Sequence, residues 1–148
     1  MARIDLVDLA HSYGGNDAPE ESFALKPVTM TWRRGGAYAL LGPSGCGKTT
    51  LLNLISGIVT PSRGKILFDG VDITTQSTRE RNIAQVFQFP VIYDTMTVGQ
   101  NLAFPLRNRG VPKVEIDARV AEIARLLDLT PYLERKAQRL TADAKQKI

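Results

Sequence analysis

The nine residues Gly42, Pro43, Ser44, Gly45, Cys46, Gly47, Lys48, Thr49 and Thr50 constrain this chain more than any other stretch. They follow a short, continuous apolar run, Ala37–Leu41, which reads as a buried parallel strand. From Lys48 the period changes: Leu51, Leu52, Leu54, Ile55 and Ile58 mark an apolar helical face that ends near Gly57. Strand, glycine loop and helix in that order match the P-loop pattern, with Gly42, Gly47, Lys48 and Thr49 at its fixed positions. The chemistry accounts for the residue types. Gly42, Gly45 and Gly47 let the backbone curl so that successive N–H groups approach phosphate oxygens without side chains in the way. The helix N-terminus adds partial positive charge. Lys48 is placed to reach the β- and γ-phosphates, Thr49 to set its hydroxyl on Mg²⁺, and Thr50 to donate to the α-phosphate. The remaining loop members, Pro43, Ser44 and Cys46, complete the nucleotide cradle.

Around this loop the chain reads as one domain of class α/β. Residues 3–9 alternate polar and apolar side chains, the period of a half-buried strand. A turn-rich stretch, Gly14–Ser22, separates them from a second strand region, Phe23–Trp32, in which Pro27 implies an edge position or a bulge. A turn over Thr60–Gly64 leads to a strand at Lys65–Asp69, a turn at Gly70 and a further strand candidate, Arg81–Gln88. Beyond Gln88 the strands cease. Thr97–Arg109 and Lys113–Leu129 read as helices, the second with Ile116, Val120, Ile123 and Leu127 along one face and Pro112 at its start. Pro105 is expected to kink or end the first. The division expected is an α/β nucleotide-binding part, residues 1–92, and a helical part, residues 93–148.

Composition excludes several functions. An apolar share of 43% with 23% charged residues fits a folded globular chain, and no stretch approaches the ~20 apolar residues that span a bilayer. The N-terminus has no signal-peptide pattern, so the cytosol is expected. One cysteine, Cys46, and one histidine, His11, supply neither a disulfide nor a zinc site. His11 reads as a solvated strand-end residue without a role. The formal charge of +4 gathers at the C-terminal end, in Arg135, Lys136, Arg139, Lys145 and Lys147 against Glu134 and Asp143. That reads as a solvated helix face rather than a nucleic-acid footprint.

Other positions resemble the ATP-binding subunits of ABC transporters. Tyr13, just after the first strand, matches an aromatic residue that stacks on adenine in that family; such stacking is worth roughly 1–3 kcal/mol. Gly57–Gly70 is similar to the family's stretch with Pro61, Gly64, Ile66 and Gly70 in fixed order, Arg81–Gln88 to the strand ending in its Q-loop, and Thr97–Leu102 to the segment that follows. The resemblance implies a RecA-like P-loop NTPase core with an N-terminal antiparallel part and the start of a helical subdomain, truncated. It implies that ATP and Mg²⁺ are the cofactors and that Lys48 and Gln88 carry catalysis. Gln88 would coordinate the metal and the attacking water, and Phe89–Thr97 would touch a transmembrane permease subunit. The protein would sit at the cytoplasmic face of the inner membrane.

Where the family has its signature, this chain has Leu140, Thr141, Ala142, Asp143, Ala144, Lys145, Gln146 and Lys147. Leu140 and Gln146 match, and Thr141 keeps a hydroxyl. Ala142, Asp143 and Ala144 depart from the pattern. In the family two ATPase subunits stack head to tail, and the signature of one caps the γ-phosphate held by the other. An aspartate there sets negative charge against negative charge. Asp143 therefore favours a pair in which the second ATPase subunit is a different one with an intact signature. The ending is similar to bacterial importer ATPases for glycerol, sugars or sugar phosphates. In the family the acidic strand and switch histidine follow the signature, so these residues are expected to bind ATP without hydrolysing it. The rival reading is a non-transport ABC ATPase of the DNA-repair or translation type, or a regulatory ATP-binding subunit. The absence of a coiled-coil or zinc insertion after Gln88 favours the importer.

Overall fold

The computed structural model describes residues 2–15 and 19–148, so Met1 and residues 16–18 of the turn-rich stretch lie outside the described residues. The chain forms two compact units, Met1–Gln85 and Val86–Ile148.

The first unit is built on a four-stranded antiparallel sheet in the order β2-β1-β3-β4, with β1 Ile4–His11, β2 Leu25–Trp32, β3 Arg63–Phe68 and β4 Val71–Asp72. β2 is an edge strand, which is where Pro27 is tolerated. The alternation expected along β1 is broken once. Asp8 takes a left-handed conformation, φ 48°, and the register with both neighbours shifts around it. Such a bulge changes the phase of the strand. Leu6 and Leu9, three apart, consequently both face the core, at 1% and 0% exposure. The bulge N–H donates to Thr29 Oγ1 at 2.9 Å. Across from it Gly64 has φ +87°, and a Cβ there would collide with the Asp8 carbonyl. β3 and β4 are joined through Asp69 and Gly70, both at positive φ, as a two-residue hairpin turn with matching twist requires.

Helix α1, Lys48–Ser56, lays Leu51, Leu54 and Ile55 against Leu6, Leu9, Leu25, Ile66 and Ile73. Burial of one such leucine contributes about 2 kcal/mol. Leu52 and Ile58, assigned to the same face from sequence, are 44% and 50% exposed. Gly57 closes the helix in the left-handed conformation, its N–H returning to Asn53 and Leu54.

Two expected strands are absent. Ala37–Leu41 pairs with no strand among the described residues, and Leu41 is 92% exposed. A parallel strand exists only between neighbours, and every pairing in this sheet is antiparallel. Arg81–Gln88 likewise joins no ladder: Arg81 and Asn82 form a turn, and Ile83 onward runs without strand pairing. The histidine reading is also corrected. His11 pairs with Leu25 at the end of β1 and is 7% exposed.

In the second unit α2 spans Val98–Asn108 and α3 Lys113–Leu126. Thr97 and Gln100 form a reciprocal capping box at the start of α2: Thr97 Oγ1 accepts from the Gln100 N–H at 3.2 Å and Gln100 Oε1 from the Thr97 N–H at 2.9 Å. Pro105 lies inside the helix, which runs on to Asn108 rather than ending there. α3 stops before the expected Leu129. Asp128 turns left-handed, φ 57°, and the Leu129 N–H folds back to the Ala124 carbonyl at 2.7 Å. Val98, Ala124 and Leu129 form the buried centre, with Leu102, Leu127, Leu133 and Leu140 packed around it. The buried stripe of α3 is thus Ile116 and Ala124, and Ile123 is 39% exposed. After two single-turn helices, Thr130–Tyr132 and Ala137–Arg139, the chain ends in a short helix α4, Ala142–Gln146.

Candidate phosphate-binding site

The glycine loop owes its shape to contacts that only glycine permits. Gly45 and Gly47 have φ +80° and +91°, conformations that disfavour other residues. A Cβ at Gly47 would stand 2.6 Å from the Ala24 carbonyl oxygen, and one at Gly42 would stand 2.6 Å from Cys46 Sγ. The loop therefore closes on itself at one end and rests on the start of β2 at the other. Gly47 is the N-cap of α1 and offers no side-chain cap. The N–H groups of the first turn have no partner within the helix, so they remain free to bind an anion.

Lys48 completes the electrostatics. Its Nζ donates to the carbonyls of Gly42 and Pro43, both at 2.7 Å, and lies 3.5 Å from Cys46 Sγ. Carbonyl oxygens hold the ammonium in place without neutralising it, and among the described residues no carboxylate pairs with it. Thr49 is exposed and Thr50 buried. Cys46 is a free, exposed thiol. A fixed cation, an uncapped helix start and a cradle that side chains would fill fit a phosphate chain.

Tyr13 is held at the end of the sheet that carries this loop. Its ring, 65% exposed, meets His11 edge to face with centroids 4.6 Å apart. His11 pairs with Leu25, and the neighbouring Ala24 carbonyl touches Gly47. His11 Nδ1 lies 3.4 Å from Ser62 Oγ, and burial lowers the pKa of the ring below its ordinary 6.5, with a backbone hydrogen bond to Thr60 acting the other way.

Gln88 and Thr141–Asp143 belong to the second unit. Gln88 is exposed in a segment that also exposes Val86, Phe89, Val91 and Tyr93 at 81%, 75%, 77% and 51%. Thr141 caps α4, its Oγ1 accepting from the Ala144 N–H at 3.4 Å, and Asp143 is exposed in the first turn. A carboxylate there favours the helix dipole of the chain alone. Two bonds tie α4 to the exposed segment: Gln146 Nε2 donates to the Phe87 carbonyl at 3.1 Å, and Lys145 Nζ pairs with Asp94 at 2.8 Å. The periodicity of so short a helix gave no sign of them.

Arg81 also went unnoticed in the sequence. It is 5% exposed, and its guanidinium donates to the carbonyls of Leu54 at 2.6 Å, Ile55 at 2.9 Å, Thr74 at 2.9 Å and Gln76 at 3.0 Å. It thus caps the C-terminus of the helix whose N-terminus forms the phosphate loop. The signal available was an arginine at the head of a strand candidate of mixed polar and apolar residues.

The fold is that of P-loop nucleotide-binding domains. cbiO1 from Clostridium perfringens, part of the ABC transporter complex cbiONQ, superposes with a TM-score of 0.81 at 29% identity, over 97% of this chain and 57% of that one. A nucleotide-free ATP-binding cassette from an ABC transporter gives 0.73 at 24% identity, over 99% of this chain and 64% of its own, and shows the shared fold. The profile of the ABC transporter family matches residues 25–148, and the chain belongs to that family. Similar relatives include an sn-glycerol-3-phosphate import ATP-binding protein of Agrobacterium fabrum, 41% identical over all of this chain and 40% of its own length. A sulfate/thiosulfate import ATP-binding protein of Thermosynechococcus vestitus is 46% identical over 98% of this chain and 41% of its own. The chain spans about two fifths of the length of these curated relatives. Among the described residues no helix is long and apolar enough to cross a membrane.

Proposed function

We propose that these residues are the nucleotide-binding part of an ATPase subunit that energises a bacterial importer. The observation that carries the reading is the loop itself, where Lys48 is pinned by carbonyls, with no carboxylate partner among the described residues, at the mouth of an uncapped helix. Residues Gly42–Thr50 hold the phosphates, with Lys48 neutralising charge on the terminal pair and the first-turn N–H groups of α1 donating to their oxygens. The Thr49 hydroxyl, exposed at the start of α1, would serve as a protein ligand to Mg²⁺, and Gln88 keeps the role that the sequence resemblance implies. When bound, the ion polarises the terminal phosphate. Tyr13 receives the adenine, a role its exposed ring supports.

The chain works peripherally at the cytoplasmic face of the membrane, docked on a permease through the segment 89–97. The exposure of Phe89, Val91 and Tyr93 supports this. The glycerol-3-phosphate relatives support glycerol, a sugar or a sugar phosphate as the solute, while the sulfate/thiosulfate relative is named for a different one. Recovery of the native protein from its host with a multi-span membrane protein supports the importer. Consistent recovery with ribosomes or DNA overturns it.

Asp143 supports an asymmetric pair. Its carboxylate lies in the first turn of α4, where a partner's γ-phosphate would be capped. The partner is then a different ATPase subunit with an intact signature, leaving one strong and one weak site. Brisk hydrolysis by the full-length protein alone, without that partner, counts against it. The 148 residues themselves are expected to bind ATP without turnover.

A further inference from the structure

A buried histidine with an unsatisfied nitrogen is a poor choice for a strand end. His11 is 7% exposed, and its Nε2 is buried without a hydrogen-bond partner among the described residues. Leucine would fill such a position without burying a polar atom. Departures of this kind gather where function requires them. Three observations indicate what the ring is for. It meets the Tyr13 ring at 90° with centroids 4.6 Å apart, the edge-to-face geometry that fixes one ring against another. It is itself fixed, by the pairing of its backbone with Leu25 and by Ser62 Oγ at 3.4 Å from Nδ1. Ser62 is in turn tied to the strand end: its N–H donates to the Ala10 carbonyl at 3.0 Å, and its Oγ accepts the Ser12 N–H at 3.1 Å.

Tyr13, by contrast, is 65% exposed and follows the end of β1, so its backbone alone does not settle where its ring points. We infer that His11 is a positioning residue for the nucleotide base: its buried ring holds Tyr13 in the orientation that stacks on adenine. This rests on the reading of Tyr13 as the adenine platform. His11 touches no nucleotide atom in this account. It lowers the entropy lost when Tyr13 is immobilised against the base, which is how preorganisation raises affinity. The contribution therefore appears only for ligands that carry a base.

The test compares the affinity of the chain for MgATP with that for magnesium tripolyphosphate, which has the phosphates and no base. His11→Leu keeps the burial and removes the aromatic edge; His11→Phe keeps a ring at the same place; Tyr13→Ala removes the platform. With His11→Leu, ATP affinity is expected to fall about fivefold, the effect of one aromatic pair, with tripolyphosphate affinity unchanged. His11→Phe retains the wild-type ratio. Tyr13→Ala lowers the ratio at least as far. If Tyr13→Ala lowers the ratio and His11→Leu leaves it at the wild-type value, the inference about His11 is wrong and the platform stands. If Tyr13→Ala leaves the ratio unchanged, the platform reading fails first. Equal loss of both ligands with His11→Leu also overturns the inference, since it marks a general disturbance of the loop. An unfolded leucine variant shifts the decision to His11→Phe against His11→Gln, where loss of the ratio in both overturns it.

Discussion

Replacing Arg81 with methionine removes the cap on the far end of the phosphate-loop helix. The side chain is 5% exposed, and two of its four acceptors, the Leu54 and Ile55 carbonyls, are buried in the last turn of α1. The Leu54 carbonyl keeps the Gly57 N–H at 3.2 Å, while the Ile55 carbonyl depends on the guanidinium. Thr74 and Gln76 lie partly open to solvent, and water replaces the arginine there. A buried acceptor left without a partner costs about 1–3 kcal/mol, and the lost charge at the helix C-terminus adds about 0.5–1 kcal/mol. The burial cost of the guanidinium, which also holds its pKa below the ordinary value, is regained on removal. The net loss expected is about 2 kcal/mol. Trp32, the single tryptophan, lies in β2 and reports on the first unit. In urea the midpoint by Trp32 fluorescence should fall by about 1.3 M for a slope near 1.5 kcal/mol/M. Arg81→Lys, which loses the fork but keeps one or two bonds, should fall about half as far. A shift below about 0.5 M for methionine refutes the capping argument.

Gly64→Ala should destabilise the first unit by about 3 kcal/mol, because the new Cβ meets the Asp8 carbonyl at a positive φ; urea unfolding checks it. Thr97→Ala breaks the capping box of α2 and should cost about 1 kcal/mol, read from the loss of helical circular dichroism with denaturant. His11 has a folded pKa below its unfolded 6.5, so the unfolded state binds the proton more readily. Stability is then fully present above about pH 6.5 and is lost as pH falls from there through the lower folded pKa. The difference between wild type and His11→Leu across pH 4 to 8 isolates this from the carboxylates Asp5, Asp69, Asp72 and Glu80, whose lowered pKa values place their losses at more acid pH. A constant difference refutes it.

The elements legible in the sequence were those whose signals are local. Glycine spacing, the helix from Lys48 that ends near Gly57, the turn at Gly70 and the helix that begins at Thr97 all act within a few positions. What failed depended on distant partners. Ala37–Leu41 has the composition of a buried strand, yet a strand forms only with neighbours, and none of the described strands lies beside it. Arg81 reads as a charge at the start of a strand candidate, and its acceptors lie 26 and 27 residues earlier in the chain, at Ile55 and Leu54. His11 reads as a polar strand end because the Asp8 bulge, which turns the last residues of β1 inward, shows in the sequence only as the three-residue step from Leu6 to Leu9. The site followed the same rule: the phosphate cradle is one continuous stretch, while the contact of His11 with Tyr13 and the ties of α4 to Phe87 and Asp94 arise only on folding.

The central claim is that the loop around Lys48 binds the phosphates of ATP. Equilibrium binding of MgATP to the chain, with magnesium tripolyphosphate as competitor, tests it most directly. Saturable binding that tripolyphosphate displaces, weakened about tenfold to a hundredfold by Lys48→Ala through the loss of a charge-assisted contact, is the result expected. Equal affinity for wild type and Lys48→Ala contradicts it.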